Sequence, residues 1–413
     1  MTLNAVWISL FFGSALFGIM DWVLGARPDV LTQMMNATFE SAKNAFDVTL
    51  QLTGTLTLWL GFMRIGEKAG AVTGLAKVTS PIMKRIFPGV PAHHPALGAI
   101  ALNFMANLLG LNNAATPAGL QAMRELQKLN RNPTTVSNDQ AMFIVLHSAS
   151  LTLIPMSIIA IRTQMGAAHP MDIFFPILFA SFCSALCGFF SVALVQKNIR
   201  FRDPILLGSI VISLIAIGTA LTFLSHTSTK NLESFSSQLG AGVFMFIILW
   251  FLGLATWNRI DAWEAFVDGA KDGFTMVVQM IPFLVGILVA VGVFRASGAM
   301  EWLAQILWKA ISWTGLPQAT VGAIPTLLIK PLSGSGARGM MIDAMKTYGV
   351  DSFTGRLASV INGSTDTTFY IIALYSGAVG LKNTRHVLPC SLLSDLAGLT
   401  GALFMAWLFF RMG

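Results

Sequence analysis

Long apolar runs separated by short polar joints dominate this chain. Uninterrupted stretches of spanning length lie near 3–24, 48–65, 141–161, 171–195, 205–224, 239–257, 274–294, 359–380 and 387–410. A helix over each run would cross the hydrocarbon core of a bilayer. Residues 95–117 and 319–336 are also apolar, but Asn, Gly, Ser and Pro interrupt them. Irregular backbone survives at membrane depth only against protein or a water-filled cavity, because lipid offers it no hydrogen-bond partner. Those two segments are therefore expected to be broken or re-entrant. Residues 66–88 and 299–313 read as shorter amphipathic helices lying along the interface or against a bundle. The predicted class is an all-α polytopic membrane protein with about nine full spans.

Composition agrees with the pattern. Charged residues are 11% of the 413-residue chain and hydrophobic ones 54%, too few charges to cover a soluble fold of this size. Disorder, a secreted disulfide scaffold and most soluble enzyme classes are excluded. The 26 basic and 19 acidic residues give a net charge of +7, which in this class reads as Lys and Arg of cytoplasmic loops. The basic residues are scattered and not interleaved with aromatics, so no nucleic-acid partner is expected. Cys183, Cys187 and Cys390 lie in apolar runs and read as packing residues. The first 23 residues lack the basic start of a signal peptide and fit a retained first span.

Self-comparison reveals a repeat. Ala42-Lys43-Asn44-Ala45-Phe46 pairs with Ala270-Lys271-Asp272-Gly273-Phe274, an offset of 228. Gly70 meets Gly298, and Leu75-Ala76 meets Leu303-Ala304. Gly89-Val90-Pro91 matches Gly315-Leu316-Pro317, and Gly98-Ala99-Ile100 matches Gly322-Ala323-Ile324. Ala122-Met123 falls on Ala344-Met345 and Ser148 on Ser364, the offset drifting to 216. A fixed order of matches over so long a stretch marks homologous halves. The expected organisation is an N-terminal span (1–35), a first repeat (36–196), two linking spans (197–263) and a second repeat (264–413).

Charge counts orient the halves. Residues 64–92 hold Arg64, Lys68, Lys77, Lys84 and Arg85, whereas their counterpart 295–318 holds only Arg295 and Lys309. The loop 196–204 carries Lys197, Arg200 and Arg202, against Lys230 alone in 225–238. Lys382 and Arg385 fill a loop whose partner, 163–170, has neither Lys nor Arg. The positive-inside rule then puts equivalent loops on opposite sides, with a cytoplasmic amino terminus. Inverted repeats of this kind build many secondary transporters.

In such folds solute binds near mid-membrane, where interrupted segments of the two repeats meet. The first repeat offers Asn103, Asn107, Asn112, Asn113 and Thr116 within 103–117; amides in an apolar stretch are costly unless paired or facing solute. The second offers Ser333, Gly334, Ser335 and Gly336, whose glycines expose backbone and whose serines add small donors and acceptors. A third motif runs Asn362-Gly363-Ser364-Thr365-Asp366-Thr367-Thr368. Asp366 admits two readings there. It is either a helix cap or a coupling site, in which Ser364, Asp366 and Thr367 hold Na⁺ or Asp366 exchanges a proton. Its counterpart, His147-Ser148-Ala149-Ser150-Leu151-Thr152, keeps hydroxyls at Ser148, Ser150 and Thr152 but lacks the acid. His147 could titrate or serve as a structural histidine.

Other constellations fail. Gly334-Ser335-Gly336-Ala337-Arg338-Gly339 matches a dinucleotide fingerprint, but no strand precedes it. His93-His94 lacks a further ligand at metal spacing and reads as a loop pair. No Walker motif, HExxH or GxSxG occurs, so neither ATP-driven pumping nor common hydrolase chemistry is expected, and the chain is read as no enzyme.

At these motifs the chain resembles a known family. LNFMANLLGLNNAATPAGLQAM (102–123) is similar to the signature of spore maturation protein A. KPLSGSGARGMMIDAMKTYG (330–349) and GRLASVINGSTDTTFYIIALYSGAVGLKNTRH (355–386) are similar to that of spore maturation protein B. Both belong to the nucleoside-recognition, or Gate, group, which includes segments of the ferrous iron transporter B and is remotely similar to concentrative nucleoside transporters. The resemblance covers nearly the whole chain, with the two usually separate proteins fused. Asn112 stands where the first signature carries a Gly. The resemblance implies a bacterial inner-membrane protein with two Gate-type units moving a small polar solute. No cofactor beyond a coupling ion is expected, and a homo-oligomer is an open expectation.

The leading expectation is a secondary transporter of a nucleoside, amino acid or dipeptide, driven by Na⁺ or H⁺. The alternatives are an ion or divalent-metal pathway and a non-transporting scaffold or sensor. The first alternative is opposed by motif cores with no Cys and Met105 as their one soft ligand.

Overall fold

A computed structural model describes residues 3–110, 112–197, 199, 203–227 and 229–410. Among the described residues the regular structure is helical, with turns and irregular joints between the helices and one isolated bridge between Thr135 and Asn383. In chain order the helices are α1 (Leu3–Val23), α2 (Val30–Lys68), α3 (Ala71–Ile86), α4 (Pro95–Leu108), α5 (Asn112–Leu129) and α6 (Asn138–Ala149). They continue as α7 (Met156–Gln164), α8 (Phe174–Gln196), α9 (Pro204–Ser225), α10 (Thr229–Trp257), α11 (Ala262–Ala296) and α12 (Ala299–Ile311). The last five are α13 (Ile324–Ile329), α14 (Gly334–Tyr348), α15 (Phe353–Ser364), α16 (Thr368–Ala378) and α17 (Val387–Phe410). Among the described residues, five helical stretches are long and apolar enough to cross a membrane: Asn4–Val23, Phe174–Gln196, Asn231–Trp257, Ala262–Ala296 and Val387–Phe410. This is a multi-pass α-helical membrane protein.

The repeat seen in the sequence recurs in the order of elements. α2 to α8 correspond in turn to α11 to α17. Gly70 before α3 and Gly298 before α12 both take left-handed backbone, at φ 82° and 84°, a conformation glycine adopts without a Cβ clash. Gly166 after α7 and Gly380 after α16 do likewise, at 79° and 71°. α6 and α15 are each 12 residues long and end at matching points.

Two of the expected continuous spans are discontinuous. The run 141–161 divides into α6 and α7, and 359–380 into α15 and α16. In the first, Ser150 turns left-handed at φ 46°, and Pro155, one residue before α7, has no N–H to extend a helix backwards. In the second, Thr365-Asp366-Thr367 carries side chains that compete for backbone hydrogen bonds and so loosen a helix. Continuous hydropathy concealed both breaks. The first of the predicted broken segments is α4 turning into α5, with Gly110 at φ 75°. The second is a 3₁₀ turn (Gln318–Ala323), α13 and the start of α14.

The chain forms two compact units, and each draws on both repeats. Unit 1 comprises Met1–Trp59, Ser157–Pro170 and Ala270–Asn362. Its core gathers Ile287, Val291, Met300, Ile329, Ala337 and Met340, with Val6, Leu10 and Phe294 packed on it. A Cβ on Gly339 would come 2.6 Å from Ile287, so glycine lets α14 approach α11. Arg162, fully buried, pairs with Asp351 at 3.0 Å and donates to the Val350 carbonyl at 2.9 Å. Its charge is thereby matched inside the unit.

Unit 2 comprises Leu60–Met156, Met171–Gly269 and Gly363–Gly413. Its spine is α17 lying along α8 through a seam of small residues. A Cβ on Gly401 would come 3.2 Å from the Ala180 backbone, and one on Gly398 3.1 Å from Ser184. Such close approach is how membrane helices gain packing energy where lipid removes the hydrophobic drive. α6 packs against both members of this pair, and α16 against α5, α6 and α17.

Candidate functional site

Unit 2 holds the buried polar cluster. Asn103 and Asn107 lie one turn apart on α4, His147 lies near the end of α6, and Tyr375 lies on α16. Asn103 Nδ2 donates to the Ala115 carbonyl of α5 at 2.6 Å, which fixes the amide and turns Oδ1 towards His147. His147 Nδ1 sits 2.8 Å from that oxygen, so we assign the ring proton to Nδ1. Nε2 then has a lone pair for the Tyr375 hydroxyl, 3.4 Å away. The Tyr375 and His147 rings meet edge to face, with centroids 4.9 Å apart. Phe143 closes the group at 5.2 Å from Tyr375. His147 is therefore a satisfied member of a network.

Asn107 is different. Its Nδ2 lies 3.1 Å from the same His147 nitrogen, but that nitrogen already carries the proton used towards Asn103. The half-buried Asn107 amide also lines a cavity of about 180 Å³ with Met83, Phe104, Met105, Leu146 and Ser150. Asn107 and Ser150 are the polar features of that cavity.

Next to it the two breaks meet. The Asp366 main-chain N–H donates to the Ser148 carbonyl at 2.9 Å, and the Leu153 N–H to the Leu108 carbonyl at 2.9 Å. Backbone groups released by the breaks thus find partners inside the protein, as membrane depth requires. Thr367, not Asp366, is the residue preceding the first turn of α16, and its side chain makes no capping bond. Asp366 Oδ1 accepts from the Thr367 N–H at 2.7 Å. Ser364, Thr365, Thr367 and Thr368 are all buried. Thr368 Oγ1 donates to Asp395 Oδ2 of α17 at 2.7 Å, and Ser148 Oγ donates to Ser391 Oγ at 3.1 Å.

Of the residues predicted for the site, Asn103, Asn107, Ser148, Ser150, Ser364, Thr365, Asp366, Thr367 and Thr368 belong to unit 2 and surround the two breaks. Thr116 faces outward from α5. The side chains of Asn112 and Asn113 lie outside the described residues. Ser333, Gly334, Ser335 and Gly336 belong to unit 1. There Ser333 caps α14 by accepting from the Gly336 N–H at 3.0 Å, and contacts Ser335 Oγ at 3.2 Å. Gly334 is the first residue of α14 and Gly336 lies in its first turn, and neither has positive φ. Gly336 is small because a Cβ would press within 2.8 Å of Ile329. His94 proves to be the N-cap of α4, its ring accepting from the Ala96 N–H at 3.2 Å.

Sequence reading missed Asp395 and Tyr375. Each carried a signal, since Asp395 is the sole acid of the 387–410 run and Tyr375 is one of three tyrosines in the chain.

Comparison with known proteins agrees with this architecture. The profile of the nucleoside-recognition (Gate) family matches residues 49–167 and 277–382. The chain is 42% identical over 172 residues to spore maturation protein B of Bacillus subtilis (strain 168), covering 42% of this chain and 95% of that protein. It is 35% identical over 183 residues to spore maturation protein A of the same organism, covering 44% and 90%. Inner membrane protein YjiG of Escherichia coli (strain K12) is 26% identical over 109 residues, 26% of this chain and 67% of that protein. No solved structure matches. With both halves matched by one profile and broken at equivalent points, the chain belongs to the Gate nucleoside-recognition family of membrane proteins.

Proposed function

We propose that this protein is a secondary transporter of a small polar metabolite, of the nucleoside, amino acid or dipeptide class, coupled to Na⁺ or H⁺. One observation carries the reading: the helices broken at 150–155 and 365–367 are joined backbone to backbone through Asp366 and Ser148. A helix that only anchors gains nothing from a break at membrane depth, whereas a solute site needs the exposed ends of one. The groups around the breaks are amides, hydroxyls, an imidazole and a phenol, with the half-exposed Asp366 beside them and the buried Asp395 accepting from Thr368. Such a set reads a solute by hydrogen bonds and suits a polar organic molecule better than a soft metal. The family's description as nucleoside recognition points the same way. Asn107 and Ser150, on the cavity of about 180 Å³, are the first contacts.

The test is thermal unfolding of purified protein with nucleosides, amino acids, dipeptides and divalent metals, followed by uptake into proteoliposomes under imposed Na⁺ or H⁺ gradients. A transporter shows a selective upward shift for one organic class, about 2.7 kcal/mol at a hundredfold excess over Kd, and gradient-driven uptake of that class. A shift with a divalent metal alone supports the ion pathway. No shift and no uptake support a scaffold.

A further inference from the structure

α12 carries three faces along one helix. Met300 faces the core of unit 1, whereas Trp302 and Ile306, round the helix from it, are exposed. Trp302 meets Phe17 of α1 with ring centroids 5.3 Å apart, so this apolar face lies beside a stretch long and apolar enough to cross a membrane. The third face, Gln305, Trp308 and Lys309, lines a cavity of about 480 Å³, a volume in the range of ligand sites. Gln318 of the 3₁₀ turn, Tyr348 at the end of α14 and Thr354 in the first turn of α15 line it too, and all six belong to unit 1. Thr354 Oγ1 donates to the Ala319 carbonyl at 2.7 Å and pins the turn. A Cβ on Gly322 would stand 2.7 Å from the Tyr348 ring, and Arg295 lies 5.9 Å from that ring's centroid. Glycine and guanidinium together place the ring. Arg295 is itself paired with Asp343 at 2.6 Å. No Asp or Glu lines the cavity among the described residues, which leaves Lys309 as its net charge. The side chains of Gln305, Lys309 and Gln318 make no hydrogen bond or ion pair among the described residues.

We propose that this cavity binds the phosphate headgroup of an anionic phospholipid, whose acyl chains lie along Trp302 and Ile306 beside α1. An ammonium with amide, indole and phenol donors around it suits phosphate oxygens, which accept several hydrogen bonds at once. A zwitterionic headgroup would bring its own cation beside Lys309, with no carboxylate in the lining to meet it. A soluble phosphate could use the same donors, but it has no use for the apolar face next to them. Ile306 and Lys309 are neighbours on the helix surface, three residues apart, so the charge sits at the border of the face that touches the membrane, where a lysine reaches from apolar surface to a polar headgroup. The shared fold of the repeats does not demand this set. At the offsets fixed by the matches 75–76 with 303–304 and 122–123 with 344–345, Trp308, Lys309 and Tyr348 stand where the first repeat has Ser80, Pro81 and Leu126.

The experiment titrates the full-length protein in detergent with phosphatidylglycerol or phosphatidylcholine, reading bound lipid by native mass spectrometry and stability by thermal unfolding. Wild type should hold phosphatidylglycerol in preference to phosphatidylcholine and be stabilised by it. Lys309→Gln should weaken phosphatidylglycerol about fivefold, the worth of one lysine at an anionic surface, and Lys309→Arg should restore it. Lys309 is exposed and makes no side-chain contact of its own, so the lipid-free unfolding midpoint of both variants should match wild type. Lys382→Gln, which removes an exposed charge from unit 2, should bind lipid as wild type does. The proposal is overturned by equal binding of the two lipids, by Lys309→Gln binding phosphatidylglycerol as wild type does, or by Lys382→Gln losing as much. Inorganic phosphate and glycerol 3-phosphate form the last arm, and neither should shift the unfolding of wild type. A shift with either that disappears in Lys309→Gln assigns the cavity to a soluble phosphate and overturns the lipid.

Discussion

The main-chain N–H of Asp366 reaches the carbonyl of Ser148 at 2.9 Å, so the break in one repeat satisfies the open end of a helix in the other. Because this bond belongs to the backbone, the Asp366 side chain is not needed for it. Asp366 is also not the residue preceding α16's first turn, which weakens its reading as a cap. Asp366→Asn should therefore leave the unfolding midpoint nearly unchanged, since Asn can accept from the Thr367 N–H as well. Gradient-driven solute uptake in proteoliposomes should fall at least tenfold, because Asn carries no charge to offer a solute. Uptake equal to wild type would return Asp366 to a structural role.

Gly119 on α5 faces the Asn103–His147–Tyr375 network. A Cβ there would collide with the Tyr375 hydroxyl and stand 2.8 Å from Asn103 Nδ2. Gly119→Ala should destabilise by about 1–3 kcal/mol through overpacking. Tyr375→Phe alone removes a buried hydroxyl at a cost of about 1 kcal/mol, but it also removes the colliding oxygen. The double variant should accordingly be more stable than the sum of the single effects predicts. Strict additivity of the three unfolding midpoints would show that Gly119 and Tyr375 do not touch.

His386, just before α17, gives the fold a pH dependence. Gln196 Nε2, which can only donate, lies 3.0 Å from His386 Nε2 and also donates to the Asn138 carbonyl at 2.9 Å. The ring nitrogen must accept, so the folded protein holds a neutral imidazole. Burial, and then the neighbouring Arg385 charge, push its pKa below the ordinary 6.5. The unfolded chain therefore takes up the proton first as pH falls. This contribution to stability is whole above 6.5 and is lost as the pH drops to the lowered folded value. The midpoint difference between wild type and His386→Gln should be constant at neutral and alkaline pH and shrink in acid. A difference independent of pH would exonerate His386.

Loop orientation is open to direct labelling. In a background without Cys183, Cys187 and Cys390, single cysteines in Thr163–Gly166 should react with an impermeant maleimide from outside the cell. Those in Leu381–Thr384 should react only after the cytoplasmic face is opened. Exposed positions exist in both loops, among them Thr163, Lys382 and Asn383. Labelling of both loops from one side would show that the repeats are not inverted, and a transport cycle based on inversion would go with it.

Hydropathy, the ordered matches between Ala42–Phe46 and Ala270–Phe274, and the long motifs were enough to establish a helical membrane protein of two related halves. They also located nine of the polar residues that surround the breaks. Those features are legible because hydropathy is a sum over consecutive residues and homology preserves order along the chain. The breaks at 150–155 and 365–367 are not, because Leu151, Leu153 and Ile154 keep the first run apolar while Ser150 turns left-handed and the Leu153 N–H leaves for Leu108. Whether a helix continues depends on which distant carbonyl competes for its N–H groups, and only tertiary structure supplies that competitor. The same holds for the polar partners. Asp395 lies 27 residues from Thr368, and Asn103 lies 272 from Tyr375. At such separations no local pattern links a donor to its acceptor; the packing of α17 along α8, and of α16 against α6, does.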